Sequence, residues 1–131
     1  ILGELDSLVV SEHPLADPIT GAAHACGHNA QIAGLVGAAR ALKASGVIAE
    51  LSGEVVFLAV PAEEFIEIED RKTRRAANEL EFLLGKSELV AKNHFDDIDM
   101  AMMIHTIGDS KTRSILVDSS NGAVIKRIKF K

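Results

Sequence analysis

Residues 55–60 read Val-Val-Phe-Leu-Ala-Val, an unbroken apolar run that Pro61 stops. A half-exposed strand alternates apolar and polar positions; this run does not, so it needs cover on both faces. It falls far short of the roughly 20 residues a membrane helix requires, and its valines favour a strand over a short buried helix. Strands covered on both faces belong to parallel sheets, whose connections cross over through helices. Two other stretches fit that template: Ile1–Val10, "ILGELDSLVV", and residues 98–105, "IDMAMMIH".

The segments between these runs read as the crossovers. After the turn-rich "SEHPLADPITG", Ile32, Leu35, Val36, Ala39 and Leu42 recur at helical spacing, with Asn29 as the expected N-cap and Ser45-Gly46 as the stop. Ala33, Gly34, Gly37, Ala38 and Ala41 keep this helix narrow enough to lie close on a sheet. A charged stretch runs from Glu67 to about Leu84, and its core reads as a surface helix, where Glu67 and Arg71, Asp70 and Arg74, and Arg75 and Glu79 stand four apart. Its "RKTRR" reads as a solvated face rather than a phosphate or nucleic-acid site. Gly85 separates it from a short helix capped by Ser87 and running to Asn93. Two more strands are expected at 114–120 and 122–131, the last alternating apolar and basic residues. Right-handed crossovers turn this order into an α/β fold, a mainly parallel sheet between helices.

Composition removes several classes of function. At 131 residues the chain is about one domain, and 47% hydrophobic residues suffice for a core. A formal charge of -5 with scattered basic residues argues against nucleic acid as a partner, and the lack of a long apolar run argues against a membrane. The single Cys26 has no internal disulfide partner, which suits a reducing, cytoplasmic setting. The chain begins on apolar Ile1 without a starting methionine, so a fragment of a longer protein is expected.

In parallel sheets ligands gather beyond the carboxyl ends of the strands. Past the first strand comes "HACGHN", holding His24, Cys26 and His28; the second ends in "PAEE", with Glu63 and Glu64; the third ends in His105. Sulfur, imidazole and carboxylate are the side-chain ligands of zinc-like ions. Each piece has an ordinary reading alone. Cys26 is a small buried hydrophobe, the glutamates are solvated, and His105 is a hydrogen-bonded core histidine. His13 and His94 read as surface residues, and His24 as packing or support, because Cys26 and His28 already crowd the loop. Adjacent glutamates nonetheless suit metal-assisted hydrolysis, since one can ligate while its neighbour moves a proton.

Taken in order, "GELDSL", "HACGHN", "GLVGAARALKASG", "VFLAVPAEE" and "DIDMAMMIH" resemble the co-catalytic metallopeptidases that include aminoacylases, hippurate hydrolase and plant indoleacetyl-amino-acid hydrolases. The Asn29 form is similar to the aminobenzoyl-glutamate hydrolase and basic-dipeptide dipeptidase subgroup. The resemblance implies a three-layer catalytic domain over residues 1–120, with 121–131 leading into a lid or dimerisation domain. It implies Cys26, His28, Glu64 and His105 as ligands of two divalent ions, zinc by preference, with manganese, cobalt or nickel also compatible. Glu63 becomes the general base and Asp6 a support behind the ligands. Glu4 lies where other branches carry a metal-binding histidine, and its role stays open.

The implied reaction is hydrolysis of an amide bond in N-acyl amino acids or dipeptides, by a homo-oligomer. Two departures stand against it: "FIEIEDRKTRR" replaces the Gly-rich stretch that usually follows "PAEE", and no histidine follows His105 to complete the ligand set. The alternatives are a non-catalytic metal-binding or regulatory fragment and a plain α/β interaction domain.

Overall fold

The computed structural model describes residues 1–106. The strands expected at 114–120 and 122–131 lie outside them. The elements in chain order are β1 (Leu2–Glu4), β2 (Leu8–Val9), β3 (Ala22–Ala23), α1 (His28–Ser45), a 3-10 turn (Val47–Glu50), β4 (Leu58–Val60), α2 (Ile68–Ala76) and α3 (Gly85–Ala91). β1 pairs with β4 in parallel, Leu2 opposite Leu58 and Glu4 opposite Val60. On its other side β1 meets the third apolar run through a parallel bridge, Leu2 to Met103, with Leu2 N–H donating to Met102 at 2.9 Å. The three runs thus point the same way, an α/β arrangement with β1 central. The third shrinks from a full strand to that bridge.

The first run also divides. Leu5 N–H still donates to Val60, but the chain then leaves the parallel pair, and Leu8–Val9 forms an antiparallel hairpin with Ala22–Ala23. An apolar stretch that reads as one strand therefore serves two sheets. The hairpin loop is held by Asp17, whose Oδ1 accepts from Ile19 N, Thr20 N and the Thr20 hydroxyl. Ile32 and Leu35 of α1 lie directly over Gly3 of β1. Leu2, Leu35 and Val60 are buried together with Ala23 and Ile68. No helix among the described residues is long and apolar enough to cross a membrane.

Helix boundaries depart from the expected caps for identifiable reasons. α1 starts one residue before Asn29, and its N-cap position is Gly27 at φ 115°, a conformation suited to glycine. α2 takes up the first half of the charged stretch and stops at Ala76, because Asn78 turns left-handed at φ 60° and Glu79 N–H folds back onto Arg74 O. Of the expected pairs four apart in α2, none forms; Lys72 pairs with Glu69, and Arg74 with Glu79. The released stretch is tied down by Glu88, whose Oε2 accepts from Glu81 N and Phe82 N while Lys92 pairs with Oε1. α3 opens at Gly85, before Ser87, because Gly85 N–H bonds Ala62 O and the residue sits flush against β4's end.

A Cβ on Gly85 would lie 1.7 Å from Pro61 O, whereas one on helical Gly37 meets nothing within 4 Å. Gly85→Ala should therefore cost at least about 2 kcal/mol, while Gly37→Ala should stabilise by about 0.5–1 kcal/mol. Urea denaturation of the two variants checks both signs. The hydrogen bond with Lys92, then that from Phe82 N–H, hold the Glu88 carboxyl below its ordinary value. Its folded pKa being depressed, the stabilisation exists above the unfolded value and is lost as pH falls through the folded one. An NMR titration of the Phe82 amide should show a midpoint below 4.5, and a midpoint at or above that value would contradict the contact.

Candidate metal centre

The carboxyl ends of the three runs converge on His28, which is 1 % exposed. Its place follows from α1's register: His28, Gln31 and Leu35 share the face turned to the sheet. Three carboxylates ring the imidazole. Nε2 lies 2.9 Å from Glu4 Oε2 and 3.6 Å from Glu63 Oε2, and Nδ1 lies 3.5 Å from Asp6 Oδ1. Glu4 is itself 1 % exposed. Burying a carboxylate is costly unless it is paired and hydrogen-bonded, and Glu4 has three partners: His28, Gln31 Nε2 at 3.3 Å, and the ammonium of Lys86 on Oε1. Asp6 Oδ2 accepts from Glu64 N–H, tying the β1 exit to the β4 exit.

Two sets of ligand atoms come within 4.8 Å of one another: Cys26, His28 and Glu64, and Glu4, His28 and His105. His28 is common to both. These are the clusters of this kind among the described residues, and their donors, a thiol, imidazoles and carboxylates, are those a zinc-like divalent ion takes. Asp6 Oδ1 and His28 Nδ1 are buried without a hydrogen-bond partner, an unusual state inside a protein. Cys26 and His28 reach the centre because Gly27 between them has φ 115° and leaves room for Thr106, whose Oγ1 would stand 2.4 Å from a Cβ. His105 is exposed, edge-on to His28 with ring centroids 5.8 Å apart. Its Nδ1 faces Thr106 O at 2.7 Å, a carbonyl that only accepts, which leaves Nε2 as the ring nitrogen open to a ligand.

The electrostatics favour a cation. Burial first, and then the Glu4 carboxylate, push the Glu63 carboxyl up, with Lys86 and His28 opposing. Burial likewise raises the Cys26 thiol; the His28 N–H opposes this, and the Glu64 carboxylate adds to it. A divalent ion relieves this crowding of anionic groups by binding them.

Of the residues singled out from the sequence, Cys26, His28, Glu64, His105, Glu63, Asp6 and Glu4 all lie at this centre. His24 does not join either set; its Nδ1 meets Asp6 O at 3.0 Å on the exposed side of the loop. Three residues at the centre escaped the sequence reading. Gln31 Oε1 accepts from Glu4 N and its Nε2 donates to Ile104 O at 2.7 Å, clamping β1 to the third run. Its spacing from His28 and Leu35, three and four residues, was the signal available. Arg71, expected on a solvated face, is 8 % exposed and donates from Nη1 to Glu64 O and Leu83 O. Lys86 is the third. No pattern in the sequence marks it or Arg71.

A family model described as Peptidase family M20/M25/M40 matches residues 1–114. Comparison with curated proteins and with solved structures gave no match.

Arg71 holds the main chain of Glu64 and should matter more than its helical neighbours. Arg71→Met is expected to cost about 2–3 kcal/mol, the range for losing hydrogen bonds from a charged donor. Arg74→Met, which removes only an exposed ion pair, should stay within about 1 kcal/mol. Chemical denaturation of both variants checks the difference, and equal effects would contradict the buried role of Arg71.

Proposed function

The chain belongs to peptidase family M20/M25/M40, a family of metal-dependent hydrolases, and from that premise we propose that it cleaves an amide bond beside a free carboxylate, in N-acyl amino acids or dipeptides. The observation that carries this reading is the approach of Cys26, His28 and Glu64 to within 4.8 Å, with the half-exposed Glu63 at the rim. Cys26, His28, Glu64 and His105 are the ligands in this reading, for two divalent ions, zinc by preference. The ions supply Lewis-acid activation of water and of the amide carbonyl.

The remaining work falls to the protein's own groups. Glu63 takes the proton of the attacking water and gives it to the departing nitrogen. Burial pushes its carboxyl up, and a general base works best with a pKa nearer the working pH. Asp6 keeps Glu64 and His28 in place, through the Glu64 N–H and the Nδ1 side of the imidazole. A reducing cytoplasm suits a ligating thiolate. The wider architecture in this proposal is a three-layer catalytic domain over residues 1–120, followed by a strand entering a lid, in a homo-oligomer. Exposed apolar side chains such as Leu15, Ile19 and Met100 support self-association.

The test is a pair of adjacent substitutions. Glu63→Gln should lower turnover of N-acyl amino acids and dipeptides about 10²–10⁴-fold, the share of general acid–base catalysis, with metal content unchanged by plasma mass spectrometry. Glu64→Gln and Cys26→Ser should lose metal. Exchanged phenotypes for the two glutamates would reverse their roles, and normal turnover in Glu63→Gln would refute the base. A wild-type protein that binds metal but hydrolyses neither substrate class would instead be the non-catalytic relative.

A further inference from the structure

The ladder between β1 and the third run stops one bond early. Leu2 N–H donates to Met102 O. Bonds between parallel strands are evenly spaced, so the next would join Glu4 N–H to Ile104 O. It does not form. Glu4 N–H donates instead to Gln31 Oε1 at 2.6 Å, and Ile104 O accepts from Gln31 Nε2 at 2.7 Å. A side-chain amide from α1 thus stands between two main-chain groups that would otherwise bond each other. Gln31 is 2 % exposed, so no solvent competes for these bonds. The helix also approaches the third run closely one turn on, where a Cβ on Gly34 would lie 2.7 Å from Ile104 Cδ1.

The inserted amide lies one residue before His105. That imidazole is exposed, and among the described residues its ring hydrogen-bonds only to Thr106 O. Its place edge-on to His28, with ring centroids 5.8 Å apart, is therefore set through the main chain at Ile104.

We infer that Gln31 is a spacer built into the sheet, holding the ends of β1 and the third run apart so that His105 stands at the metal centre. The inference rests on the proposed metal-dependent function. Without the amide, Glu4 N–H is left buried and unpaired, a costly state that the ladder relieves by closing onto Ile104 O. Closure carries His105 out of its place beside His28. Gln31 acts through the main chain of Ile104 and is a positioning residue, not a catalytic one.

Two NMR measurements on the full chain test this. In metal-free wild type, a coupling across the hydrogen bond should connect Glu4 N to the Gln31 side-chain carbonyl, and none should reach the Ile104 carbonyl. In Gln31→Ala the direct Glu4–Ile104 coupling should appear. Loaded with cobalt(II), wild type should show paramagnetically shifted imidazole signals from both His28 and His105. Gln31→Ala should keep the first and lose the second. It should also bind cobalt about 10–100-fold more weakly, the usual effect of losing a group that orients a ligand. Ile68→Ala, a core truncation in α2, should keep both signals. If Gln31→Ala fails to fold by circular dichroism, Gln31→Met, which fills the space but makes neither bond, should lose the His105 signal. Retention of that signal in the Gln31 variant, or its loss in Ile68→Ala as well, would overturn the inference. So would a ladder that stays open in Gln31→Ala, a direct Glu4–Ile104 coupling in wild type, or a wild-type cobalt spectrum with His28 but without His105. Absence of any cobalt uptake by wild type would instead remove the metal reading on which it rests.

Discussion

A carboxylate that is 1 % exposed sets the terms for this end of the molecule. Glu4 ends β1, where main-chain pairing runs out, and an unpaired charge there would cost several kcal/mol. The fold meets that demand with three side chains from two segments: His28 and Gln31 from α1, and Lys86 from α3. Gln31 does more than hold Glu4's carboxylate. It takes Glu4 N–H at 2.6 Å and bonds Ile104 O, forming a side-chain rung between two chain segments just past their last backbone bridge. The geometry of His28, and through it both ligand sets, follows from this arrangement.

The charged segment that follows the two glutamates forms the other wall. Arg71 holds Glu64 O, Gly85 N–H holds Ala62 O, and Lys86 holds Glu4. These contacts keep the β4 exit in a demanding shape, since Ala62 sits at φ 56° and Glu67 at φ 51°. Left-handed conformations of such residues cost on the order of 1 kcal/mol or more and persist where neighbours enforce them. A segment that looks like a solvated helix by charge alone is therefore a support for the site.

What the sequence reveals, and what it hides, divides along physical lines. The parallel order of the three apolar runs is legible from their apolar continuity, although the cover that continuity implies is incomplete, with Val56, Met102 and Ile104 exposed, and ligand residues at their carboxyl ends follow from the topology. The split of Ile1–Val10 is not, because both β1 and β2 are apolar and only pairing distinguishes them. Asn29 is a better capping residue than Gly27 by propensity, but the φ of 115° that brings Cys26 and His28 together demands glycine. Arg71 and Lys86 stay hidden for a different reason. Their partners are a backbone carbonyl and a carboxylate far along the chain, and spacing within a helix carries no trace of either.

The account stands on Cys26 and His28 holding the same ion, a contact that X-ray absorption at the zinc K edge reads directly on the zinc-loaded protein. The spectrum should contain a sulfur scatterer at about 2.3 Å beside nitrogen and oxygen at about 2.0–2.2 Å. A first shell of nitrogen and oxygen alone would mean that Cys26 does not ligate and that the Cys26–His28–Glu64 set is not the metal centre.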